Sequence, residues 1–92
     1  MTRYDIATAI MKRVPALSRR EAQQIFECAL QEIAAALSER GESVKLHEFG
    51  TFFVREGARR IGSLEGEGAG FRRRKTVNFR PSLALRQKVE KR

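Results

Sequence analysis

Tryptophan is absent, cysteine and histidine occur once each, and no apolar run approaches the ~20 residues that a membrane-crossing helix needs. Each absence removes a class of protein. A single cysteine cannot close an internal disulfide, and with one histidine and no paired ligand spacing there is no zinc site, so no metal is expected. Cys28 falls inside a helical apolar pattern and is read as a small buried residue. The lone His47, beside a turn, is read as a surface residue; around it no nucleophile, base and oxyanion set can be assembled. The glycine-rich stretch at 62–70 lacks the lysine and hydroxyl of a phosphate-binding loop. No enzyme, cofactor, small-molecule substrate or membrane partner is expected. No charged leader followed by an apolar segment opens the sequence, which favours a reducing cytoplasm.

Acidic residues are the remaining scarcity. Nineteen Lys and Arg stand against eleven Asp and Glu over 92 residues, a net charge of +8, and the isoelectric point is about 10.8. So basic a small domain calls for a polyanionic partner, nucleic acid first. The charge is also uneven: residues 1–41 carry a net +1 and residues 42–92 a net +7, which assigns the ligand to the second half. A domain of this size buries only ~60% of its unfolded surface. Two chains sharing one core would supply what one chain lacks.

Thr2-Arg3-Tyr4-Asp5 has capping-box spacing, and Ile6, Ala9, Ile10 and Val14 follow at helical intervals until Pro15, which predicts a helix over 3–14. Ser18 and Glu21 repeat the start signal, flanked by Leu17 and Ala22 as a hydrophobic staple. From there Ala22, Ile25, Phe26, Ala29, Leu30, Ile33, Ala36 and Leu37 recur three and four apart to Gly41, predicting a helix over 19–40 with one apolar stripe. Val44 and Leu46 alternate with Lys45 and His47, and Phe52 and Val54 with Phe53 and Arg55, around Glu48-Phe49-Gly50, the pattern of a β-hairpin. Residues 76–79 give a third strand, and Pro81-Ser82 opens a short helix with Leu83, Leu85 and Val89 as its apolar positions. Residues 56–75 hold five glycines and six cations with almost no periodicity, and an insert of that kind is usually functional or disordered.

The residues resemble those of the HU and integration host factor proteins of bacteria, dimeric architectural DNA binders. Leu17-Ser18 at the start of helix 2, Val44-Lys45-Leu46, Phe49-Gly50-Thr51-Phe52 and Val77-Asn78-Phe79-Arg80-Pro81 carry the resemblance over nearly the whole chain. It implies an α+β fold: two N-terminal helices, a three-stranded antiparallel sheet with a long extended β-arm, and a short C-terminal helix, in an intertwined dimer. One DNA-binding domain then spans 1–92, with a helical dimerisation base at 1–41, a saddle sheet at 42–55 and 76–81, a flexible arm at 56–75 and a terminal helix at 82–92. The implied partners are double-stranded DNA and a second copy or a related chain, in the cytoplasm at the bacterial nucleoid. Such proteins bind mostly through phosphates and the minor groove.

Under this reading Lys45, Arg55, Arg59, Arg60, Arg72, Arg73, Arg74, Lys75 and Arg80 are the DNA-contacting candidates. Arg55, Arg59 and Arg60 are expected to oppose the Arg72 to Lys75 run across the ribbon, a like-charge arrangement that an intervening anion relieves. Ile25, Phe26, Ala29, Leu30, Ile33, Leu37, Phe49, Phe52 and Phe79 are the candidate core or dimer interface. Phe53 faces away from Phe52 and is read as covered by the dimer or the arm, with stacking on a sugar or a partner as the other reading. The tip departs from the family's pattern: the Arg-Asn-Pro run whose proline wedges between base pairs is replaced by Ile61 to Gly68, where Leu64 is the one large apolar substitute and Glu65 and Glu67 bring negative charge. Glu48 also stands where a glycine is common in the turn. A second reading therefore keeps the fold as a structural or protein-interaction module with weakened DNA bending.

Overall fold

The computed structural model describes the backbone of residues 1–61 and 70–91 and the side chains of 1–57 and 74–91. The order of elements is α1 (Arg3–Arg13), α2 (Arg19–Ser38), β1 (Val44–Leu46), β2 (Gly50–Ile61), β3 (Gly70–Pro81) and α3 (Leu83–Glu90). This is the expected α+β arrangement, with strand order β1-β2-β3 in one antiparallel sheet. The chain divides into two compact units, Met1–Ala35 and Ala36–Arg92.

In the first unit both helix starts form as their spacing predicts. The Thr2 hydroxyl accepts from the Asp5 N–H at 3.3 Å while the Asp5 carboxylate accepts from the Thr2 N–H at 2.8 Å. Ser18 and Glu21 make the same reciprocal pair at 3.1 and 2.8 Å. These bonds from Ser18 hold the Glu21 carboxyl below its ordinary pKa, the backbone donor contributing most. α1 stops one residue before the expected end, where the Val14 N–H returns to the Ile10 carbonyl at 2.8 Å ahead of Pro15. Arg19 then ties the helices: its guanidinium donates to the Tyr4 carbonyl at 3.3 Å and to the Thr8 hydroxyl at 2.7 Å, and lies 3.8 Å over the Tyr4 ring. Arg3 pairs with Glu27 beside it.

The apolar stripe of α2 forms, and several of its large residues are not buried. The fully buried residues of this unit are the alanines Ala7 and Ala22, whereas Ile25 is 54% exposed and Phe26, Leu30 and Ile33 are half-buried. Cys28 is exposed, correcting the expected burial: it lies beside Glu27 on the polar side of the helix, not in the Ile25, Phe26, Leu30 and Ile33 stripe.

The second unit begins with the last turn of α2, where Gly41 takes a left-handed φ of 64° and the Glu42 N–H closes on the Ala36 carbonyl at 2.8 Å. Ala36 and Leu37 are buried there. β1 and β2 are joined by a tight turn in which the Phe49 N–H meets the Leu46 carbonyl at 3.0 Å. Phe49, Phe52 and Phe79 form one aromatic cluster, with ring centroids 5.4 Å (Phe49 to Phe79) and 4.7 Å (Phe52 to Phe79) apart. Gly50 is obligatory beneath it: a Cβ there would lie 2.5 Å from the Phe79 ring and 2.6 Å from the Arg80 carbonyl oxygen. The Ser82 N–H binds the Phe49 carbonyl at 2.9 Å, and the Ser82 hydroxyl caps α3 by accepting from the Leu85 N–H at 3.0 Å. β2 and β3 are far longer than the sequence pattern predicts, each covering twelve residues, so the backbone of the aperiodic insert up to Ile61 and from Gly70 is a paired ribbon.

Candidate nucleic-acid interface

Successive residues of a strand face opposite sides of a sheet, so the register divides this one into two faces of different chemistry. Val44, Phe52 and Phe79 share a lateral row, and Val54 and Val77 continue it on the same face. The opposite face begins with Lys45, Thr51 and Arg80 in one row, followed by Phe53 with Asn78, Arg55 with Thr76, and Gly57 with Arg74. Through these four rows it holds four cations and no Asp or Glu. Among the described residues no carboxylate pairs with Lys45, Arg55, Arg74 or Arg80.

Two residues further along the ladder Arg59 pairs in register with Arg72. This is the one pairing of two cations in the ribbon, and it corrects the expectation that the outgoing and returning basic runs face each other throughout. Arg55 lies opposite Thr76, Arg60 opposite Phe71, Arg73 opposite Ala58, and Lys75 opposite Glu56. The cause is the offset of the strands: twelve residues pair one to one from Gly50 with Pro81 to Ile61 with Gly70, so the outgoing run meets a hydroxyl, a cation and an aromatic ring, and the returning run beyond Arg72 meets two small residues and an acid. Lys75 consequently shares the face of Val54 and Val77. The side chains of Arg59, Arg60, Arg72 and Arg73 lie outside the described residues, as does Leu64 altogether.

Three neutral members of the cationic face, Thr51, Thr76 and Asn78, do not stand out in the sequence, although strand parity alone assigns them once the register is known. Phe53 is half-buried there, with the Arg80 guanidinium 5.1 Å from its ring centroid. At the end of the face, His47 is 94% and Glu48 72% exposed, with 3.9 Å between Nε2 and Oε1. Glu48 adopts a left-handed φ of 62°, a conformation that costs a non-glycine residue about 1 kcal/mol. The candidate interface residues therefore separate into the cationic face, the apolar face with Phe52 and Phe79, and the α2 stripe.

Residues 1–90 match the family described as bacterial DNA-binding protein. Integration host factor subunit alpha of Rhodobacter capsulatus is 39% identical over 94 aligned positions, which take in 100% of this chain and 92% of that one. The corresponding subunit of Paracoccus denitrificans is 42% identical, over 97% of this chain and 87% of its own. An Anabaena HU–DNA cocrystal structure shares the fold, with a TM-score of 0.79 at 24% identity and 97% of each chain covered. The chain belongs to the bacterial DNA-binding protein family, the HU and integration host factor group that its sequence resembles. The family is one of DNA-binding architectural proteins, not of enzymes.

Proposed function

We propose that this chain is an architectural protein of duplex DNA. It works as a dimer that binds through the cationic sheet face and the ribbon arms, mostly by phosphate and minor-groove contacts, and it bends or compacts DNA with little sequence preference in the bacterial nucleoid. The observation that carries this reading is the sheet face from Lys45, Thr51 and Arg80 to Gly57 and Arg74, basic in four places and acidic in none. Cations that find no carboxylate partner among the described residues repel one another, and a phosphate backbone relieves that repulsion while releasing counterions. The minor groove distinguishes little beyond A·T from G·C, which fits a reader of backbone and deformability. Dimerisation is supported by Ile25, Phe26, Leu30 and Ile33, exposed or half-buried in the single chain and aligned on one helix. The partner chain is a second copy or a related subunit, and Leu64 is the candidate wedge at the arm tip.

A duplex labelled at both ends, titrated at several salt concentrations, tests the reading through anisotropy for binding and energy transfer for bending. Salt-sensitive binding with the ends drawn together is expected. Binding without approach of the ends would mean a protein that coats DNA without kinking it. No binding near physiological salt would favour the protein-interaction reading instead.

A further inference from the structure

The cationic face contains one large aromatic side chain. Phe53 stands in the row between Thr51 with Arg80 and Arg55 with Thr76, directly opposite Asn78 and diagonally beside Arg80. Diagonal neighbours across an antiparallel pair are within reach of aromatic and long side chains. Here the Arg80 guanidinium carbon sits 5.1 Å from the Phe53 ring centroid, inside the ~6 Å over which a ring's negative face attracts a cation. An arginine held this way differs from one held by a carboxylate. An ion pair occupies the N–H edge of the guanidinium, whereas a ring engages its flat face and leaves the five N–H donors available for a bidentate bond to an anion. No described carboxylate competes for them. The same interaction restricts a long, flexible side chain before any ligand arrives, which lowers the entropy cost of binding.

We propose that Phe53 is a positioning residue for polyanion binding: its ring holds the Arg80 guanidinium flat on the sheet, with the N–H edge open to a backbone phosphate. This rests on the nucleic-acid reading above and assigns Phe53 a part in it that neither cover by the dimer nor direct stacking on a sugar describes. Thr51 and Lys45 complete the row, so the phosphate meets a cation at each side of the sheet and a hydroxyl between them.

The test has a part without DNA and a part with it. In the ligand-free protein, the Arg80 side-chain protons next to the guanidinium should show an upfield ring-current shift by NMR, kept in Phe53→Tyr and lost in Phe53→Leu. Against a random-sequence duplex at fixed salt, Phe53→Leu should bind about two- to fivefold more weakly, the range expected of an exposed cation–π pair. Phe53→Tyr should restore wild-type affinity, and Phe53→Leu made in an Arg80→Ala background should cause no further weakening. Absence of the ring-current shift overturns the pairing. Phe53→Leu binding like wild type, or weakening affinity as much without Arg80 as with it, overturns the positioning role. Should Phe53→Leu prove unstable, the tyrosine variant and the ring-current measurement still decide whether the pair exists, and Arg80→Ala decides whether it is used. Wild-type protein that shows the shift yet binds no duplex overturns the nucleic-acid reading and with it this use of the pair.

Discussion

Arg74 lies opposite Gly57 on the face shared with Arg55 and Arg80, whereas Lys75, its neighbour in sequence, lies opposite Glu56 on the face shared with Val54 and Val77. The two cations should therefore behave differently. Arg74→Ala is expected to flatten the dependence of log K on log salt by up to about 0.9 for each phosphate it no longer neutralises, and Lys75→Ala to leave it nearly unchanged; equal slopes for both variants would contradict the division of faces. Glu48 supplies a second contrast. Its left-handed backbone favours glycine, so Glu48→Gly should raise stability by about 1 kcal/mol in denaturant unfolding while removing a negative charge from the end of the cationic face. Gly50 tolerates no such exchange, and Gly50→Ala should destabilise by about 1–3 kcal/mol as the Phe79 ring and the β3 backbone are forced aside. Glu21 sets a pH dependence. Because its pKa is lowered in the folded state by the bonds from Ser18, its contribution is present above the unfolded carboxylate range and disappears as pH falls through the folded value. The melting difference between wild type and Glu21→Gln should accordingly be seen at neutral pH and vanish in acid.

At the scale of elements, the helices are legible in sequence because their signals are local: a cap with an acid three residues on, a three-and-four apolar spacing, a proline or glycine at the end. Their expected boundaries fall within two residues of those observed. The ribbon is legible only at its base. Its outer part is rich in glycine and arginine with no alternation to read, and its pairing depends on partners far apart in sequence, which fix the register and which no local pattern reveals. Cys28 is the opposite case, since helical spacing itself sets it beside Glu27, off the apolar stripe, and only its residue type suggested burial; which turns of the stripe are covered, by contrast, spacing does not say. The α2 stripe makes this testable. Were Ile25 simply solvated, as its 54% exposure in one chain would imply, Ile25→Lys would change stability by no more than about 0.5 kcal/mol. If a partner chain covers it, the substitution should cost more than about 2 kcal/mol and convert the protein to monomer in sedimentation.

For the whole molecule, charge and apolarity are distributed to different ends of the sequence, with a net +1 in residues 1–41 and +7 in residues 42–92. Stability and ligand binding can therefore be altered separately. A shared core makes the melting midpoint depend on protein concentration, and tenfold dilution should lower it; a midpoint independent of concentration would contradict the dimer. The paired ribbon carries a further consequence, for how its length can vary between relatives. Strand side chains alternate with a period of two, so gain or loss of one residue in β2 or β3 would carry every arginine beyond it to the opposite side, unless a bulge absorbed the slip. Insertions and deletions that keep both register and face in this ribbon must therefore come in matched steps of two, the same even number from each strand. The arms of such proteins are thus free to lengthen or shorten only two rungs at a time, never by a single letter of sequence.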